Sequence, residues 1–162
     1  MSQICISGPV IRQSAEWDLQ PWVKEIYQKI EGDTQLRRKV LLPRADRELE
    51  KEGDGAFFHA MRQRISTSKA LITVFTPGDV SAAIETCMAS LAGKNILVIA
   101  EDPDDVPRLL RGMPGVKETM TPADFSEEFS EAMVKLGVAK GSPPIFDKRV
   151  EGDATSRGRP RA

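Results

Sequence analysis

Short apolar runs alternate with amphipathic stretches along most of the chain. The runs at 4–6, 40–42, 71–75 and 96–99 are rich in β-branched residues and too short to be helices, which is typical of buried parallel strands. Residues 116–120 form a weaker pattern that favours an edge strand. We therefore predict five strands, separated from one another by segments of different periodicity.

The intervening segments have helical periodicity. Apolar residues recur three and four positions apart over 16–30, 56–68, 80–91, 103–111 and 122–136. In the third of these helices we expect the apolar stripe to be the buried face. That stripe consists of Val80, Ile84, Cys87, Met88 and Leu91.

The alternation of strands and helices is typical of α/β proteins. We expect a flavodoxin-like, three-layer α/β/α domain over 1–137, with a five-stranded parallel sheet in the order 2-1-3-4-5. The charged residues at 44–54 predict a solvated loop or a short exposed helix, with a substrate lid as the alternative. Residues 138–162 have few apolar side chains and several Gly and Pro, which predicts a disordered tail.

Composition narrows the possible classes of protein. A net charge of -1 and a pI of about 5.9 argue against nucleic-acid and membrane-surface partners, which usually require a basic excess. No apolar run could span a bilayer, and Cys5 and Cys87 are expected to be buried, reduced thiols, so we predict a cytoplasmic protein. The sequence has no Walker A motif, paired-cysteine motif or Gly-x-Gly-x-x-Gly, and we expect neither metal nor cofactor.

Two carboxylates follow the third predicted strand. In a sheet of this order, the ligand crevice lies where strands one and three diverge. Asp79 and Glu85 can both point into that crevice, with Arg12 and Arg44 facing them from strands one and two. Paired carboxylates suit glycosidic chemistry, because a carboxylate can attack or stabilise a sugar carbon that becomes an oxocarbenium ion. The alternative is that Asp79 caps a helix and Glu85 is a solvated helix residue.

A family resemblance makes this interpretation more specific. Residues 79–85, Asp-Val-Ser-Ala-Ala-Ile-Glu, with Gly93-Lys94 after them, resemble the Asp-x-Gly-Thr-x-x-Glu and later Gly-Lys pattern of the nucleoside 2-deoxyribosyltransferase family. The turn Ser7-Gly8-Pro9 is similar to that family's substrate loop, and Ser68-Lys69-Ala70 stands where the family often has Ser-Ala-Asp.

The resemblance implies cleavage or transfer at the N-glycosidic bond of a nucleoside or related nucleotide. Glu85 matches the family's nucleophile, and Asp79 matches an aspartate near the sugar in members that act on unphosphorylated nucleosides. A homo-oligomer is also implied, since related enzymes complete their sites across subunits. The expected substrate-binding residues are Ser7, Gly8, Pro9, Arg12, Arg44 and Ser81.

The sequence departs from the family pattern at two places. Met61 stands where the family usually has an aspartate that helps to protonate the departing base. His59 is our candidate for that acid, because histidine can donate a proton near neutral pH; Arg62 and Gln63 are the other candidates. Ser81-Ala82 replaces the family's Gly-Thr, which removes a glycine that lets the backbone approach the sugar.

Two alternatives remain open. The spacing Ile-x-x-Ser-x-x-x-Ile-x-Val-Phe over 65–75, with Glu85 after it, is similar to the TIR domain pattern, whose enzymatic members cleave nicotinamide from NAD. The departures from the deoxyribosyltransferase pattern also suit a catalytically degenerate module that binds nucleotides or other proteins.

Overall fold

The computed structural model describes residues 4–12, 19–33, 35–36 and 39–139. All five predicted strands are present: β1 (Ile4–Ser7), β2 (Val40–Leu41), β3 (Ala70–Phe75), β4 (Asn95–Ala100) and β5 (Val116–Met120). They form one parallel sheet in the order β2-β1-β3-β4-β5. The predicted flavodoxin-like topology is confirmed.

Helices cover both faces of the sheet. In chain order they are α1 (Pro21–Glu31), α2 (Arg47–Lys51), α3 (Asp54–Thr67), α4 (Val80–Leu91), α5 (Arg108–Arg111), α6 (Pro122–Glu127) and α7 (Phe129–Lys135). One apolar core lies under α1, α6 and α7, and a second lies under α3, α4 and α5. The charged connection at 44–54 contains α2, a short exposed helix capped by the side chain of Asp46.

The two cores meet the central strands from opposite sides. On β3, Ile72 and Val74 face the core under α1, whereas Leu71 and Phe75 face the core under α3 and α4. The side chains of β4 alternate in the same way. Because both faces are covered, these strands need continuous apolar runs, and those runs are what the sequence displays.

Prolines determine helix boundaries that apolar periodicity did not predict. α1 begins at Pro21 rather than at residue 16, because proline's fixed φ suits the first helical position; residues 16–18 lie outside the described part. Pro107 divides the predicted helix at 103–111 into a 3-10 turn, Pro103–Asp105, and the short α5. The last predicted helix also has two pieces, α6 and α7, which meet at Glu128.

The buried face of α4 is opposite to the predicted one. Ala82, Thr86 and Ala89 face the sheet and are buried, whereas the stripe predicted to be buried is largely exposed. The small side chains let the helix approach the sheet closely, and the Thr86 hydroxyl lies 2.7 Å from that of Thr73 on β3. Cys87 is consequently exposed, which corrects the prediction of a buried thiol, while Cys5 is buried as predicted.

The described chain continues slightly past the predicted end of the domain. Val138 and Ala139 pack against the core under α1 and α7, and residues 140–162, most of the predicted tail, lie outside the described residues. Within the described part, no helix combines the length and apolar character that a bilayer crossing requires.

Candidate functional site

The candidate site lies at the carboxyl ends of β1 and β3. These strands are neighbours, and Ser7 and Thr73 are paired across them near those ends. After β1 the chain passes to α1 on one face of the sheet, and after β3 it passes to α4 on the other. The loops therefore diverge at the point in the strand order where open α/β sheets have the crevice that binds ligands.

A hydrogen bond between Ser7 and Glu85 is the centre of this crevice. Ser7 is completely buried at the end of β1, and its Oγ donates to Oε2 of Glu85. Glu85 is half-buried and lies in the second turn of α4, on the flank that faces β1. Ser7 and Glu85, which the sequence assigned to one candidate site, are thus in direct contact.

Burial raises the pKa of Glu85 above the usual carboxyl value, and the charge of Asp79 raises it further. Two groups act in the opposite direction: the donated hydrogen bond from Ser7 and the positive charge of Arg64 lower this pKa. The carboxyl group is therefore partly removed from water while a hydroxyl and a guanidinium stabilise its ionised form. Such balanced perturbation is common at functional sites.

Asp79 caps α4. Its Oδ1 accepts a hydrogen bond from the backbone N–H of Ala82 at 3.0 Å, after a loop in which Gly78 has a φ of 84°. This is the capping role that the sequence left open as an alternative. The carboxylate nevertheless lies close enough to Glu85 and Tyr27 for its charge to raise the pKa of both groups.

Gly8 is required by close packing at the end of β1. A Cβ at this position would lie 2.8 Å from the carbonyl oxygen of Val74 and 2.9 Å from Oη of Tyr27. The Tyr27 hydroxyl donates to the carbonyl oxygen of Pro9 at 2.8 Å, and it thereby fixes the Ser-Gly-Pro turn. Gly8 and Pro9 therefore shape the crevice through their backbone.

Two residues of the cluster were not foreseen as site residues. Tyr27 follows the apolar stripe of α1 and looks like a core residue in the sequence, yet burial, Asp79 and Glu85 raise the pKa of its hydroxyl. The clue available in the sequence is that a buried tyrosine needs a partner for its hydroxyl. Arg64 on α3 is half-buried, and its charge lowers the pKa of Glu85 without an ion pair being formed between these two described residues.

Cys5 lies beneath this cluster. It is buried two residues before Ser7 on β1, and burial together with the negative charge of Glu85 raises the pKa of its thiol to about 12. The thiol is therefore protonated at neutral pH and is not a nucleophile.

Other predicted site residues lie farther out. Arg12 and Ser81 are exposed, the latter in the first turn of α4. Arg44 is exposed and pairs with Glu31 of α1 at 3.5 Å, on the rim of a cavity of about 140 Å³ that Tyr27 also lines. Arg44 therefore faces α1 rather than the pair of carboxylates.

The structure does not bring His59 to Glu85. It is exposed on α3, whereas the half-buried and buried positions of that helix, among them Arg64 and Ile65, lie on the opposite face. Met61, at the position of the family's expected aspartate, is half-buried on the packed face.

Among the described residues, no group of three or more histidine, cysteine, aspartate or glutamate side chains is arranged to hold a metal ion. No family model, curated protein or solved structure matches this chain. Function is therefore inferred from the geometry of the Ser7–Glu85 cluster.

Proposed function

We propose that the protein cleaves, or transfers a sugar at, the N-glycosidic bond of a nucleoside or related nucleotide, with Glu85 as the nucleophile. The observation that carries the proposal is the hydrogen bond from buried Ser7 to Glu85 at the crevice between β1 and β3. A carboxylate used only for solubility would gain nothing from burial beside a second carboxylate. A nucleophile benefits from being fixed and partly desolvated.

The proposed step forms one bond and breaks another. Ser7 holds Oε2 of Glu85, so Oε1 is the atom that bonds to C1′ of the sugar. The bond from C1′ to the base nitrogen breaks, and the base leaves with the electron pair and takes up a proton. Water, or the nitrogen of a second base, then attacks C1′ and loses its proton to solvent, while the bond from C1′ to Oε1 breaks and releases Glu85 as a carboxylate.

Surrounding groups would orient the substrate. Asp79 uses Oδ1 for the helix cap, and its Oδ2 can accept a hydrogen bond from a sugar hydroxyl. Gly8 lets the sugar approach the backbone, and Tyr27 holds that backbone in place. Because His59 lies on the exposed face of α3, we assign protonation of the departing base to water.

The charges at this edge favour an unphosphorylated substrate. Asp79 and Glu85 lie in the crevice, and Glu101, Asp102 and Asp105 follow the neighbouring strand β4 around a cavity of about 340 Å³. A phosphate group would be repelled by these carboxylates. We therefore propose a neutral nucleoside as the preferred substrate.

A non-catalytic nucleoside-binding module is the second candidate. The observation that favours it is that Asp79 serves as a helix cap while no acidic side chain stands at position 61 to protonate a leaving base. Such a module would use the same crevice for binding alone.

The test is release of free base by the full chain from a panel of nucleosides, nucleoside monophosphates and NAD, followed by chromatography. Glu85→Gln preserves shape and is expected to lower release by at least about 100-fold, as removal of a nucleophile does. Ser7→Ala should give a smaller loss. Glu127→Gln, an exposed glutamate on α6, is the matched control and should retain full activity.

Mass spectrometry of the quenched reaction adds a direct readout, since a sugar ester should appear on the peptide that contains Glu85. Equal release by the wild type and Glu85→Gln would overturn the assignment of the nucleophile. Binding of a nucleoside with no release of base would favour the second candidate, and release from NAD alone would favour the TIR-like alternative.

A further inference from the structure

α4 has a line of apolar residues that the described part of the chain leaves exposed. Val80 is 67% exposed, Ile84 51% and Leu91 85%, and Cys87 between them is also exposed. We call these four residues the α4 seam. Their spacing of four, three and four positions places them in one line along three turns of the helix, which is the spacing of residues that pack against a second helix.

The α4 seam carries no charge. The helix contains no lysine or arginine, and its single acidic residue, Glu85, is turned towards Ser7. Exposed helices of globular proteins usually present charged side chains to water. Phe58 on the adjacent α3 is also about half-exposed and lines a cavity together with Leu91 and Arg62, so that the apolar surface extends beyond α4 and meets one positive charge.

We propose that this surface joins two copies of the chain, with α4 packed antiparallel against α4 of the second copy across a twofold axis. A twofold axis that passes between Ile84 and Cys87 places Ile84 of each copy opposite Cys87 of the other copy. It also sets Val80 opposite Leu91 of the second copy. The line of side chains is thus complementary to itself, as a twofold interface requires.

Charges at the two ends of α4 favour this antiparallel arrangement. The helix begins at the carboxyl edge of the sheet, where Glu101, Asp102 and Asp105 follow β4. It ends at the amino edge, where Lys69 and Lys94 directly precede β3 and β4. Antiparallel packing brings the acidic end of one copy beside the basic end of the other. The α4 seam itself has no charged side chain, so it does not match a different partner that is recognised by one sign of charge.

The exposed area is sufficient for such an interface. An aromatic side chain has about 200 Å² to bury, so that the half-exposed Phe58 and the α4 seam offer on the order of 500 Å² per copy. Two copies would bury roughly 1,000 Å² together, which is the size expected of a small specific interface.

Sedimentation velocity of the full chain tests the proposal. We expect a species of twice the 17.9 kDa chain mass, and Ile84→Glu or Leu91→Glu should weaken the dimer by roughly 100-fold or more, because a buried unpaired carboxylate is strongly unfavourable. Both side chains are exposed in the single chain, so circular dichroism should show an unchanged fold. Val134→Glu is the matched control: it is a 42% exposed apolar residue on α7, across the sheet.

Cys87 provides an independent readout. The chain has two cysteines, and Cys5 is buried, so a short bismaleimide should link two chains through Cys87. Cys87→Ser should abolish the link. A monomer at 100 μM, or dissociation by Val134→Glu but not by Leu91→Glu, would overturn the proposal. These outcomes do not depend on whether the protein releases base.

Discussion

Glu85 joins the candidate chemistry to the stability of the fold. Burial is the main cause of its raised pKa, so the folded chain binds this proton more tightly than the unfolded chain. Folded stability therefore falls as the pH rises from 4.5, the ordinary pKa of this carboxyl, through the raised pKa of the folded state. At neutral pH the ionised group is a destabilising feature, which is typical of residues kept for function.

Replacement of Glu85 by glutamine removes this effect. Glu85→Gln is expected to raise Tm at pH 7, because the amide is neutral and its oxygen still accepts from Ser7. The gain should shrink as the pH falls below 4.5, where the wild-type carboxyl is protonated in both states. Calorimetry across this pH range measures it, with Glu127→Gln as the exposed control. A lower Tm for Glu85→Gln at pH 7 would contradict the prediction.

Gly8 and Gly55 form a matched pair for a test of close packing. A Cβ at Gly8 meets the backbone carbonyl of Val74, which cannot move away easily, so Gly8→Ala should cost about 1–3 kcal/mol of folding free energy. A Cβ at Gly55, in α3, meets nothing within 4 Å, and Gly55→Ala should stabilise by about 0.5–1 kcal/mol. Urea denaturation of both variants measures the difference. Equal effects would show that the Gly8 turn tolerates a side chain.

The residues of the site differ in how well the sequence reveals them. Ser7 and Gly8 lie at the end of β1, and the helix that carries Glu85 follows the neighbouring β3, so the predicted sheet order places all three at the same edge of the sheet. Tyr27 and Arg64 reach the crevice from helices whose apolar periodicity describes only their packed faces. No periodic pattern specifies that the hydroxyl of a core tyrosine extends past the end of a strand. His59, the only histidine of the chain, is exposed on α3 and does not lie beside Glu85, although the sequence made it the candidate acid.

At the scale of the element, α4 shows why hydrophobicity alone can select the wrong face. The large apolar side chains are on the exposed face, and Ala82, Thr86 and Ala89 lie against the sheet. Small residues permit close approach, and a hydroxyl pair replaces part of the apolar contact. The strands were easier to predict, because burial on both faces leaves no face to choose.

Thr73 and Thr86 should stabilise the fold only when both hydroxyl groups are present. Thr86 donates to the carbonyl oxygen of Ala82 at 2.7 Å, so Thr73 must donate to Thr86. Thr86→Val leaves the fully buried Thr73 hydroxyl without an acceptor and should cost about 1–3 kcal/mol. The double variant, with valine at both positions, should recover much of this loss. Additive losses in urea denaturation of the two single variants and the double variant would contradict a shared hydrogen bond.

At the scale of the whole molecule, β3 and β4 separate charge along their length, whereas Arg12 and Arg44 follow β1 and β2 at the carboxyl edge. Lys39, Lys69 and Lys94 directly precede β2, β3 and β4 at the amino edge. Carboxylates accumulate at the carboxyl edge, at Asp79 and over 101–105. The same separation that disfavours a phosphorylated substrate in the crevice would orient two copies that meet through α4, since each acidic edge would lie beside a basic edge.

This charge arrangement predicts how the proposed dimer responds to salt. Raising NaCl from 0.1 M to 1 M shortens the Debye length from about 10 Å to about 3 Å, and the dimer should weaken about threefold or more as attraction between the edges is screened. Lys69→Glu, beside the end of α4, should weaken the dimer at low salt and remove most of the salt dependence. Lys39→Glu reverses the same kind of charge two strands away and should change neither. Sedimentation velocity at both salt concentrations measures the dissociation of each variant. A dimer that becomes tighter as salt rises would indicate that edges of like charge meet. An antiparallel pair of α4 helices does not bring such edges together.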